Sequence, residues 1–439
     1  MTKKLITVLI SLAIMTSLFS GCGPKSTAPA TSTNVTPTTE APKKVTLKYV
    51  SWMTKGEDKP ILKAFMDANP NITIQDEALD GVNYDKLIKT RILAGDAPDL
   101  MLLQWAQYPS FVKEGHLADV TDQSNMALLK TSPGLDKVFT VGGKKYGFPI
   151  NTNGGPLPIY YNKVYFDKLG VTPPKTLAEF YTLCDKIKAD GVEPIVFGGK
   201  DKWPTEFFFR YRQYSGILAK TPEWALSLAN GEVKPSGMFK SEFDMAALMS
   251  TKGYIGKASL TLTWPQSVPY FIDGKAAMLP QGPWVVGLPE IAAADPAKFK
   301  LAAFTAPVDP INGKKYAMGE VDRLLVVSAK SKNLPEAKKV FNFFIDKPNL
   351  KTYLETQSLT TFLAFDYTIA PVIAEHIKNL SSAEYSIIIG QKAQLPAGFI
   401  TDAFFDGFQN ILAGSTVAAE LTKLDAAFEK TKSSIVIAE

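Results

Sequence analysis

The sequence predicts an α/β fold in two lobes, each a mainly parallel sheet flanked by helices. Two observations carry this. Strand and helix patterns alternate as βαβαβ between residues 45 and 103 and start again near Leu157, and such alternation implies a mainly parallel sheet with helices on its faces. The chain of 439 residues also exceeds what one core usually organises.

The elements follow in order. Val45, Leu47 and Tyr49 alternate with polar residues, which predicts a strand over Val45–Val50. Asp58 is placed to cap a helix to about Ala68, with Pro60 in its first turn and Ile61, Leu62, Phe65 and Met66 on its apolar face. Asn69-Pro70 ends it. A strand at Ile72–Gln75, a helix at Tyr84–Ala94 and a strand at Asp99–Leu103 complete the first unit. In the second, Thr176-Leu-Ala-Glu179 forms a capping box opening a helix to about Ala189, and a strand is expected at Pro194–Phe197. Asn333-Leu-Pro-Glu336 opens a later helix with Val340, Phe341, Phe344 and Ile345 facing inward. A last helix near Val417–Phe428 spaces Val417, Leu421, Leu424 and Phe428 on one stripe.

Before the body come Lys3 and Lys4, an apolar run from Leu5 to Phe19, then Ser20-Gly21-Cys22. The run is shorter than the roughly 20 residues that span a bilayer and reads as an export signal over residues 1–21. Cys22 behind a small pair resembles a lipobox, with Phe19 where Leu is usual; the resemblance implies lipidation of Cys22 and an anchor on the outer face of the cell membrane. Residues 22–43, rich in Pro, Ser, Thr and Ala, form a solvated spacer.

Composition narrows the function. Apolar content of 46% and charge of 21% are those of a globular body. A net charge of +5, partly carried by Lys3 and Lys4, is too weak to argue for nucleic acid. The arginines are Arg91, Arg210, Arg212 and Arg323, a poor supply for a phosphate grip. The second cysteine, Cys184, shares a helical face with Leu177, Phe180 and Ile187 and reads as a buried apolar residue. His116 and His376 lack metal-ligand spacing, so neither a metal nor a cofactor is expected.

Several motifs then stand in one order. They are Tyr49-Val50-Ser51-Trp52, Phe65 through Pro70, Tyr84-Asp-Lys-Leu87, Ala94-Gly95-Asp96-Ala97-Pro98-Asp99, Glu114-Gly115-His116-Leu117-Ala118-Asp119, Gly147-Phe148-Pro149, Tyr160-Tyr161-Asn162-Lys163, Leu169-Gly170-Val171, Pro173-Pro174-Lys175-Thr176, Phe271 through Met278 and Gly282-Pro283-Trp284. The ordered set resembles the extracellular solute-binding proteins of ABC importers, in particular the sugar-binding branch that includes maltose-binding protein. The resemblance implies the periplasmic-binding-protein fold with a ligand cleft at the hinge. It divides the chain into an N-lobe of residues 44–152 plus 276–320 and a C-lobe of residues 153–275 plus 321–439. It also implies a monomer that hands a carbohydrate, expected to be an oligosaccharide, to a membrane permease.

A sugar presents hydroxyls that need paired donors and acceptors, and C–H faces that stack on aromatic rings. Of six tryptophans, Trp52, Trp105, Trp203, Trp264 and Trp284 fall at strand ends or in loops that the family points at the cleft; Trp224 reads as structural. Polar candidates beside them are Asp80, Tyr84, Gln104, Asn151, Asn153, Tyr160, Glu206, Arg210 (with Phe207), Glu320, Asp322 and Arg323. Asp322–Arg323 reads equally as a ligand grip or a hinge ion pair. Two alternatives remain. The same fold could take an acidic sugar, a sugar phosphate or a peptide, using Arg210, Arg212 and Arg323. Or Glu206, Glu320 and Asp322 could supply the carboxyl pair of a secreted glycoside hydrolase, although no catalytic motif is present and a binding protein rather than an enzyme is expected.

Overall fold

The computed structural model describes residues 43–81, 83–105, 107–154, 158–205, 216–382, 384–389 and 391–437. The signal, Cys22 and nearly all of the spacer lie outside the described residues.

In the first sheet, β1 (Val45–Ser51) lies between β2 (Ile72–Ala78) and β3 (Leu100–Leu103), parallel to both. Val45, Leu47 and Tyr49 are buried and Thr46 and Lys48 exposed, the alternation read in the sequence. The hairpin β4 (Thr140–Val141) and β5 (Lys144–Lys145) precedes β6 (Phe148–Gly154). The second sheet joins β7 (Pro158–Asn162), β8 (Glu193–Ile195), β9 (Ala276–Pro280) and β10 (Leu301–Thr305) in the order β10-β7-β9-β8. Both its faces are covered: Ile159 and Tyr161 enter one apolar cluster, and Tyr160 between them enters the other. The chain then returns through the long strand β11 (Lys315–Val327), which is antiparallel to both β3 and β6. β12 (Tyr385–Ile389) extends that sheet beside Lys315–Gly319. A small ribbon of β13 (Ala393–Gln394) and β14 (Val436–Ile437) closes the chain.

The two lobes thus follow the expected architecture, but the exchange of chain between them runs the other way. β9 and β10, expected in the N-lobe, pair with β7 in the second sheet. Residues Val321 to Leu363, expected in the C-lobe, belong to the core of the first. The fully buried run Ala276–Pro280 suits either core, and only its partners decide. From Ile369 on, the buried residues pack with the second lobe, while β12 joins the first sheet and Ile389 packs on its core.

The capping box Thr176–Glu179 forms as read and starts the helix Leu177–Ala189, with Phe180, Cys184 and Ile187 buried. Asp58 does not cap the helix Lys59–Ala68. Its carboxylate turns inward and accepts from Tyr49 Oη at 2.8 Å and Tyr353 Oη at 2.6 Å; two buried hydroxyls outcompete a solvated N-terminus.

Because Thr176 Oγ1 accepts from the Glu179 N–H, Thr176→Ala is expected to cost about 1 kcal/mol in urea unfolding, with Thr176→Ser largely restoring it.

Candidate functional site

Strand direction locates the site. β6 is antiparallel to β11, which is antiparallel to β3, so β6 runs parallel with β1, β2 and β3 and leads into β7. In the second sheet β8, β9 and β10 run together, with β7 opposed, and β10 leads back toward β11. The carboxyl ends of the parallel strands in both sheets therefore face the chain crossings, the edge where open α/β sheets bind ligands.

The tryptophans sit at these ends. Trp52 follows β1, half-buried, edge-on to Tyr84 at 5.1 Å between ring centroids. Trp105 follows β3 and stacks on Tyr108 at 5.6 Å. On the other side, Trp203 lies 5.9 Å from Trp264 and 6.3 Å from Trp284. All five are half-buried. Trp284 packs against the first-lobe core and against an apolar cluster of the second lobe, so it bridges them. Two glycines make room: a Cβ on Gly282 would fall 2.2 Å from the Trp284 ring, and one on Gly198 would fall 2.3 Å from the Trp264 nitrogen. Trp224 is buried against Phe239, in the core as read.

The polar candidates divide. Asp80 is exposed and accepts from Asn83 Nδ2 at 3.0 Å. Gln104 is exposed at the end of β3. Glu320 and Asp322 are half-buried on β11. Asn151 is buried on β6, and its Nδ2 donates to Asp322 Oδ2 at 3.3 Å. A carboxylate can only accept, so the Asn151 oxygen faces away, and that buried oxygen has no partner. Burial raises the Asp322 pKa, Arg323 and Asn151 oppose the rise, and Glu320 adds to it. Asn153 pairs with Glu320 across the strands; its side chain lies outside the described residues, as do Glu206, Phe207, Arg210 and Arg212.

Three candidates spend their polar groups inside the protein. The Tyr84 hydroxyl lies 2.9 Å from the Val50 carbonyl and 2.8 Å from that of Leu102. Tyr160 is fully buried and donates to the Gly282 carbonyl at 3.1 Å, supporting the Trp284 turn from behind. Arg323 is buried and donates from Nη1 to Tyr353 Oη at 2.8 Å and also to Gln357 Oε1. Burial works against its charge, yet Tyr353, Asp322 and Asp58 push its pKa up. Of the two readings of Asp322–Arg323, the Arg323 contacts favour an internal role: Nε stands 3.8 Å from Asp322, and Nη1 belongs to the Tyr353–Asp58 cluster.

Two residues at these ends escaped the sequence reading. Gln281, buried directly after β9, accepts the Gly282 N–H on Oε1 at 3.0 Å, which leaves its buried Nε2 without a partner. Only its place before Gly282-Pro283-Trp284 could have flagged it. Asp85, half-buried beside Tyr84, accepts from Gln107 Nε2, and burial pushes its pKa up to about 6. Among the described residues no His, Cys, Asp and Glu group is arranged to hold a metal ion.

The lobes also touch at their margins: Lys55 Nζ pairs with Glu290 Oε1 at 2.8 Å, and Gln394 Nε2 donates to the Trp105 carbonyl at 3.1 Å.

Residues 51–351 match the family described as bacterial extracellular solute-binding protein. The multiple sugar-binding protein of Streptococcus mutans is 27% identical over 319 residues, 71% of this chain and 74% of that protein. Among solved structures, the binding protein RafE in complex with raffinose superposes with a TM-score of 0.74 at 21% identity, covering 89% of this chain and all (100%) of that one. A sugar transporter protein of Bacillus licheniformis in complex with stachyose gives 0.71 at 24% identity, covering 88% and 99%. At these identities the superpositions establish the fold.

Two outcomes are expected. Asp58→Ala leaves the buried Tyr49 and Tyr353 hydroxyls without their acceptor and should cost about 2–3 kcal/mol in thermal or urea unfolding. Asp85 has a folded-state pKa of about 6, above that of the unfolded chain. The folded protein therefore holds an extra proton between roughly pH 4 and 6, and stability falls as pH rises through that window. Asp85→Asn should remove this part of the slope in urea unfolding across pH; an unchanged slope would refute the assignment.

Proposed function

This chain belongs to the bacterial extracellular solute-binding proteins, and from that premise we propose that it captures a carbohydrate between its two lobes and delivers it to an ABC permease. The observation that carries the reading is the group of Trp203, Trp264 and Trp284, with Trp284 against both lobes. Indole faces suit the C–H faces of pyranose rings. The unpaired Asn151 acceptor and Gln281 donor suit hydroxyls, which both give and take a proton. The relatives support an oligosaccharide: one is named for multiple sugars, and the solved structures hold raffinose and stachyose. Trp52, Asp80, Gln104, Trp105, Asn151, Gln281, Glu320 and Asp322 would complete the lining.

In mechanism, the rings exclude water from one sugar face, the amides and carboxylates orient its hydroxyls, and closing the lobes covers the other face. The protein acts as a monomer without catalysis. Lipidation at Cys22 would hold it at the outer face of the membrane, and the spacer would let the body reach the permease, raising its effective concentration there.

Thermal shift against mono- and oligosaccharides, raffinose and stachyose included, tests the reading. A ligand at 100 times its Kd should add about 2.7 kcal/mol. Shifts from a peptide or a phosphate ester with none from sugars would contradict it, as would turnover of labelled oligosaccharides. By calorimetry, Trp284→Ala should weaken the best sugar about tenfold or more, some 1.4 kcal/mol, and Trp224→Ala far less.

A further inference from the structure

Gln394 lies in β13, where β14 holds its backbone. Its neighbours Ala393 and Leu395 are buried in the second-lobe core, so its own side chain, by alternation, points away from that core. It reaches Trp105, which packs against the first-lobe core, and Nε2 donates to the Trp105 carbonyl at 3.1 Å. The bond therefore joins the lobes beside an aromatic ring of the candidate site. A carbonyl carries no proton, so the amide nitrogen must face Trp105 and the amide oxygen must face elsewhere. That oxygen is buried and has no hydrogen-bond partner. Leaving a buried acceptor unpaired costs stability, and an orphaned group of this kind calls for a physical explanation.

We infer that Gln394 is a two-ended clamp: its nitrogen latches the lobes together at Trp105, and its oxygen accepts a hydroxyl of the bound ligand. A ligand that fills the oxygen also fixes the amide that holds the lobes, so one side chain couples occupancy to closure. The identity of the ligand rests on the carbohydrate reading above; the latch does not. Lys55 and Glu290 also join the lobes, but both are exposed and salt screens them.

Wild type, Gln394→Met and Gln391→Met would be compared by small-angle X-ray scattering without ligand and by calorimetry with raffinose. Met matches glutamine in length and removes both hydrogen-bonding ends. Gln391 is the control: its amide accepts from the Ala225 N–H and donates to the Pro222 carbonyl, both within the second lobe. The clamp predicts a larger ligand-free radius of gyration for Gln394→Met only, and raffinose affinity reduced about tenfold in Gln394→Met and within about twofold in Gln391→Met. Scattering identical to wild type overturns the latch, and unchanged affinity overturns the ligand contact. If wild type binds neither raffinose nor any other sugar, the carbohydrate reading falls, and scattering alone still decides the latch.

Discussion

Everything the site requires rests on the pairing of β6 with β11. These antiparallel strands stand at the first two crossings between the lobes, one leading out through β7 and the other returning from β10; the third runs from Leu363 to Ile369. Because β11 also pairs with β3, the crossings leave from the edge where β1, β2 and β3 end. Thr152 on β6 ties the third passage to the same place: its N–H donates to the Thr360 carbonyl at 2.9 Å, and its hydroxyl accepts from the Phe362 N–H at 2.6 Å. With the hinge strands fixed in one ladder, the strand ends of one lobe must meet those of the other.

The cluster around Arg323 stiffens this ladder from inside the first lobe. Asp58 joins the turn after β1 to Tyr353 on the helix Lys347–Thr356, and Tyr353 joins Arg323 on β11. Elements far apart in sequence are thereby locked around buried Arg323 and Asp58, linked through Tyr353. A buried ionic group contributes less net stability than its contacts suggest; its value here is orientation, since it fixes β11 relative to β1, whose end carries Trp52. The rings then have rigid supports, which limits the ordering cost of binding.

Much of this was legible in sequence because it is local. The alternation of Val45, Leu47 and Tyr49, the Thr176–Glu179 box and the positions of tryptophans after strands depend on neighbouring residues, and all appear in the structure. Asp58 misled because its choice between capping and Tyr353 depends on a residue 295 positions away. The lobe exchange misled because Ala276–Pro280 is apolar on both faces and carries no mark of its sheet. Gln281 and Gln394 were silent for a different reason. An amide is common in any sequence, and only the partner at one end reveals that the other end is unpaired.

On this reading the half-buried rings at the crossings form the ligand surface. Acrylamide quenching of tryptophan emission, with and without saturating oligosaccharide, reports on those rings. Sugar should lower the quenching constant, and Trp284→Ala should remove much of the protected fraction. Equal quenching at saturation, in a protein shown by calorimetry to bind the sugar, would place the ligand away from these rings.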